Sequence, residues 1–284
     1  MARENVRTFS LGWVFVSYFI ICGGMVVSLI AFAATVDHWS VAPENAAYFA
    51  CGLGGLVGGF FAGRASTHYS ALEPAIAGAL IVGSVYLLLT RTAIGPIAFA
   101  FAEQRIEREG LILGALLSAG GLVGALVGEA TVRGPRSLSP VRWFGLGVLI
   151  TYGAALAATI LTNILLIDQA LRDPALVRRI LDGGELISAN EVSSAFLAAL
   201  AGTGFVGGLV TQMAAGRRML LVSTSAVFAA LTGGMLAVLG LADAIDADTI
   251  AGSLFLGGCA TMLGLIGAVI SWLYSRIVGT TRQS

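Results

Sequence analysis

The sequence contains no lysine, only two histidines (His38 and His68) and only three cysteines (Cys22, Cys51 and Cys259), and charged residues make up just 11% of it. A soluble domain of this length carries roughly a quarter charged residues, so the scarcity excludes an ordinary soluble fold. The 16 arginines are balanced by 16 acidic residues, which leaves no basic footprint for nucleic acid. Each cysteine stands alone inside an apolar run with no metal spacing, as a small packing residue would. Catalytic signatures are missing as well: no Walker loop, HExxH, GxSxG or dinucleotide fingerprint stands in a suitable context. The expectation is a protein with no catalytic residue, no cofactor and no metal.

What is present is apolar. The 284 residues are 57% hydrophobic, with a mean hydropathy of +0.90. A spanning helix needs about 20 mostly apolar residues. Eight stretches qualify: 10–35, 45–63, 72–90, 109–130, 142–167, 192–214, 219–241 and 249–275. The first follows Arg3 and Arg7 but exceeds a signal h-region and shows no clear cleavage site of the A-x-A type before the polar loop, so it is read as a retained span. The fold class expected is all-α, a polytopic membrane bundle of eight helices forming a single membrane domain over 1–284.

The arginines orient it. With the N-terminus inside, Arg3, Arg7, Arg64, Arg133, Arg136, Arg142, Arg217, Arg218, Arg276 and Arg282 lie on the cytoplasmic side and the other six outside. Of the acidic residues only Glu4, Glu73 and Glu129 fall inside. Both termini are therefore expected in the cytoplasm, the membrane being the plasma (inner) membrane of a bacterium. His38 and His68 then fall on opposite sides and cannot share a metal.

Local punctuation agrees with the spans. Ser70-x-x-Glu73 and Ser188-x-x-Glu191 read as capping boxes. Arg64 and the Arg217–Arg218 pair follow Gly63 and Gly216, where a helix end favours glycine and positive charge. Glu129 and Arg133, four apart, read as an interfacial ion pair. Two longer outer connections are expected. One covers 91–109, with Pro96 and the run EQRIERE; the other covers 168–191, where Asp173-Pro174 opens a short helix lying on the surface as a lid.

The chain also resembles itself. Two four-span repeats, 1–140 and 141–284, each open with arginine and tryptophan (Arg7 and Trp13; Arg142 and Trp143). Each continues with Glu-x4-Phe (Glu44 and Phe49; Glu191 and Phe196), and Val57-Gly58-Gly59 matches Val206-Gly207-Gly208. Gly114 and Gly120 match Gly252 and Gly258 in separation. Four spans is an even number, so the repeat is parallel, about an axis along the membrane normal. Lipid tails are as apolar as leucine, so helices associate in a bilayer through close backbone approach at small residues. Gly54, Gly55, Gly58, Gly59, Gly120, Gly124, Gly204 and Gly208 are the candidate packing glycines, expected to join the two halves.

Ionisable residues deep in a membrane mark function by default, and the spans contain essentially none. Asn163 and Gln212 are the strongest polar groups there and the candidates for a polar path. Two functions follow. An accessory subunit, packing a protein partner or a copy of itself through its small-residue faces, is slightly preferred. The alternative is a transporter or channel for a small neutral or lipid-like solute.

Overall fold

A computed structural model describes residues 9–35, 45–66, 71–132, 139–173, 175, 178, 187–215, 220–242 and 244–281. Among these residues the chain forms long helices and no strand: α1 Leu11–Thr35, α2 Ala46–Ala65, α3 Leu72–Arg91, α4 Ile94–Ala130, α5 Pro140–Arg172, α6 Ala189–Ala215, α7 Leu220–Leu241 and α8 Ala247–Thr281. Each is long and apolar enough to cross a membrane. The shortest, at 20 residues, spans about 30 Å, the thickness of a hydrocarbon core. A helix satisfies its own backbone hydrogen bonds, which is the only open-ended solution available to a chain inside lipid. Large side chains such as Leu221, Phe255 and Met262 are at least 70% exposed, and in a bilayer these surfaces meet acyl chains rather than water. The chain is an integral membrane protein.

Five of the eight helices begin and end within three residues of the expected spans, and α8 runs six residues past its expected end. The exceptions are instructive. The expected outer connection at 91–109 is not a loop: only Thr92 and Ala93 interrupt the helices, and α4 runs 37 residues from Ile94. Pro96 falls in its first turn, where a missing amide costs nothing, and EQRIERE consists of good helix formers. This outer part keeps contact with α3, Gly95 lying against Leu89. Val82 lies near Gly114 while Tyr86 meets Phe99 edge-on at 5.8 Å, so about 22 Å of α4 accompanies only about 6 Å of α3. Helix α5 likewise continues to Arg172. Of the expected lid, the described part is the Ala175 amide donating to Asp173 Oδ1 at 2.9 Å; most of the rest lies outside the described residues.

The capping box at α6 forms in full. Glu191 accepts from the Ser188 amide at 2.7 Å and donates its own amide to Ser188 Oγ at 3.3 Å. Glu73 behaves differently. It lies fully buried in the first turn of α3, and its Oε1 accepts the Ser10 amide at 2.9 Å, tying down the start of α1. Ser70 lies outside the described residues.

Within each half the neighbours follow the same scheme. In the first, α2 packs on α1 and α4, and α3 packs on α4 and α1; in the second, α6 packs on α5 and α8, and α7 packs on α8 and α5. The halves meet mainly where α1 crosses α5. A cluster of Val16, Phe19, Ile20, Leu146, Ile150 and Ala154 fills that seam. At the far end from the chain termini, the Ala93 amide donates to Asp168 Oδ1 at 2.6 Å, fastening the α3–α4 turn to α5.

Candidate functional site

The glycines fix how the helices touch, and through that where space remains. Gly54 faces α1, with Met25 Cα 2.7 Å from where a methyl group would sit, and Gly58 faces Ile20 and Ile21 of the same helix. Gly55 and Gly59 face α4 instead, at Leu117 and Gly121. Gly120 and Gly124 approach the α2 backbone from the other side, at Leu56 and Phe60. Gly204 and Gly208 of α6 lie on Ala260 and Gly264 of α8. The candidate glycines thus join helices inside each half; they do not join the halves, as the sequence had implied. That contact belongs to Gly23 and Gly153. Gly23 lies on the Leu149 backbone, while a methyl group on Gly153 would meet the Phe19 carbonyl and stand 3.0 Å from the Gly23 amide. Their signal in the sequence is position, ten residues after Trp13 and ten after Trp143.

These contacts put the halves in one register. Gly124 rests on the Leu56 carbonyl and Phe60 amide, and Gly267 rests on the Phe205 carbonyl and Leu209 amide. Gly59 meets Gly121 as Gly208 meets Gly264. Gly121 touches Pro74 of α3 as Gly264 touches Val227 of α7. Gly252 and Gly258, matched in the sequence to Gly114 and Gly120, have nothing within 4 Å of a methyl group. The structural counterparts of Gly121 and Gly124 are Gly264 and Gly267, a different alignment of α4 with α8.

Two cavities occupy matching places. One, of about 580 Å³, lies in the second half and is lined by Tyr152 of α5, Leu200 of α6, Gly234 and Met235 of α7, and Gly252, Ser253 and Leu256 of α8. Val26 and Ile30 of α1 close it. The other, of about 380 Å³, lies in the first half and is lined by Cys22 of α1, Cys51 of α2, Ile81 and Val82 of α3, and Glu109, Gly110 and Leu113 of α4. Leu156 and Ile160 of α5 close it. The register set by the glycines carries one lining into the other: Cys51 onto Leu200, Val82 onto Met235, Gly110 onto Ser253, Leu113 onto Leu256. It also carries Val26 and Ile30 onto Leu156 and Ile160. Each cavity is therefore walled by its own half together with the first helix of the other. Their sizes fall in the range of about 300–1,000 Å³ typical of small-molecule pockets.

The walls are largely apolar, and some of the hydroxyls in them, those of Thr203, Ser84 and Thr249, are turned back on nearby backbone carbonyls. Thr203 donates to the Ala199 carbonyl at 2.7 Å, a bond that withdraws the hydroxyl from the cavity. The first-half cavity carries one ionisable side chain, Glu109, in its wall. Tyr18 and Ser84 share a hydrogen bond at 2.9 Å, and the Tyr48 hydroxyl donates to Glu109. Glu109 takes the place that Gly252 holds in the other cavity. The sequence reading assigned Glu109 to the outer acidic set and missed its part in a cavity wall.

The polar-path candidates are not brought together. Gln212 is buried on α6 and accepts from Ser223 Oγ at 3.0 Å. Its neighbour Thr211 packs at Gly147 of α5, whereas Asn163 lies sixteen residues farther along α5, about 24 Å away, with an exposed side chain. Among the interface residues, Arg64 lies 5.9 Å from the Phe60 ring centroid, and Glu129 is half-buried in the last turn of α4. Arg133, Arg217 and Arg218 lie outside the described residues. Among the described residues no three His, Cys, Asp or Glu side chains come together. No family model, no curated protein and no solved structure matches the chain.

Proposed function

We propose that the protein is a non-enzymatic carrier that binds an apolar or lipid-like solute within the bilayer, in cavities generated by two parallel four-helix repeats, 1–140 and 141–284. The observation that supports this reading is the agreement of two separate registers. Backbone contacts at glycines and the linings of the two cavities select the same residue pairs. An approximate twofold axis along the membrane normal, passing between Gly23 and Gly153, accounts for both. A solute without charge needs no midplane carboxylate, which fits walls that are largely apolar. In this reading the termini are cytoplasmic, by the arginine distribution, and the cavities lie toward the outer leaflet of the plasma membrane.

An accessory subunit is the slightly preferred reading of the sequence, on the absence of buried charge and of any soluble domain. The candidate glycines pack against helices of the same chain, which gives them no free face for a partner and supports the carrier reading.

The test uses two glycines of α8 that have equal room for a side chain. Gly252 lines the larger cavity and Gly258 does not, and neither has an atom within 4 Å of a methyl group. Gly252→Trp should fill the cavity and reduce binding of an uncharged fluorescent apolar probe to the purified protein at least about tenfold, a loss of roughly 1.4 kcal/mol. Gly258→Trp should leave binding unchanged. Equal binding by both variants and the parent protein would refute the reading, and transbilayer flux of the same probe in liposomes should follow the same order.

A further inference from the structure

A third cavity, of about 540 Å³, lies toward the face where α2 ends and α5 begins, in the crevice between the two halves. Its mouth is formed by Arg64, in the last turn of α2, and Arg142, in the first turn of α5. Below them the walls are Val57 and Phe61 of α2, Leu146 and Leu149 of α5, and Val27 of α1. From Arg64 down to Val57, and from Arg142 down to Leu149, is about 10 Å along each helix. The crevice is thus cationic at the membrane face and apolar beneath. Among the described residues no acidic side chain lines it. Neither arginine forms an ion pair with a described residue; Arg64 has the Phe60 ring beside it, and Arg142 is exposed.

Two guanidiniums at one mouth ask for an anion with several acceptor oxygens, because each presents a fork of donors that a phosphate can engage in pairs. The depth and the apolar walls ask for a ligand that continues as hydrocarbon. An anionic phospholipid has both parts, and basic crevices between spanning helices are where such headgroups lodge. We propose that this crevice is a binding site for an anionic phospholipid, with its phosphate between Arg64 and Arg142 and an acyl chain against Val57, Leu149 and Val27. The site belongs to the first half and the seam. By the glycine register the positions matching Arg64 and Arg142 are Met213 and Gly12, so one such site is expected and not two.

The experiment is a melting series on the purified full chain in mild detergent, titrated with phosphatidylglycerol, phosphatidylcholine or inorganic phosphate. Phosphatidylglycerol should raise the melting temperature with saturation, and the other two should not. Arg142→Gln should weaken the apparent affinity for phosphatidylglycerol at least about tenfold, the scale of a charge-assisted hydrogen bond. Arg142 is exposed at a helix start, so this variant should fold; Arg64→Gln should act in the same direction. Arg91→Gln, at the opposite face, should retain the full response. Equal stabilisation by phosphatidylcholine would overturn the proposal, as would an Arg142→Gln variant that responds like the parent protein. Saturation by inorganic phosphate alone would overturn it too, in favour of a free-anion site.

Discussion

Replacing Gly124 and Gly258 by alanine separates backbone approach from every other property of a glycine. Both residues lie inside long helices, α4 and α8, so both substitutions bring the same gain in helix propensity, about 1 kcal/mol. The difference between them is steric. A methyl group on Gly124 would stand 2.8 Å from the Phe60 amide nitrogen, with the Leu56 carbonyl closer still. These are backbone atoms of α2, which cannot rotate aside, so the two helices must separate. Overpacking of this kind costs about 1–3 kcal/mol, and here it also disturbs the neighbouring Gly59–Gly121 contact. A methyl group on Gly258 meets nothing within 4 Å. Gly124→Ala should therefore melt several degrees below Gly258→Ala, at roughly 2–4 °C per kcal/mol, measured as the fraction that remains monodisperse after heating in detergent. Gly267→Ala should behave like Gly124→Ala, because Gly267 rests on Phe205 and Leu209 in the same manner. If Gly124→Ala melts no lower than Gly258→Ala, the close approach of α2 and α4 is wrong. If Gly124→Ala is destabilising but Gly267→Ala is not, the common register of the two halves is wrong.

Further substitutions probe the ends of the helices. Glu73→Ala should leave the Ser10 amide without its carboxylate in a part-buried setting, at about 1 kcal/mol, and lower the melting temperature; Glu73→Gln, which keeps an acceptor oxygen, should recover part of that loss. Asp246, outside the spans, accepts the Thr249 amide at 2.7 Å, and that bond together with the Thr249 side chain holds its carboxyl below the usual aspartate range. A depressed value means the cap is fully present above the ordinary aspartate pKa and is lost as pH falls through the lower, folded one. The Thr249 amide resonance should accordingly titrate with a midpoint below that of an unstructured aspartate. A midpoint at or above it would show that the cap does not hold the start of α8.

The sequence by itself determined the number of spans, because about 20 apolar residues in a row have only one hydrogen-bonded way to cross a bilayer. It determined the Ser188–Glu191 cap as well, since both partners of that bond lie within one turn. It placed glycine at the helix contacts but assigned the contacts to the wrong neighbours. On a helix, Gly54 and Gly58 face about 100° away from Gly55 and Gly59, so one glycine run serves two partners, and which partner lies on which side is not a local property. The break at 91–109 misled for a related reason: Pro96 signals an interruption unless it falls in a first turn, and only the position of Thr92 and Ala93 decides that. Tertiary structure alone decided that Asn163 and Gln212 lie far apart, that Glu109 enters a cavity wall, and that Arg64 and Arg142 line one crevice. Each of these depends on the register between helices distant in sequence. Inside a bilayer that register is set by where two backbones can touch, and no property of a single segment encodes it.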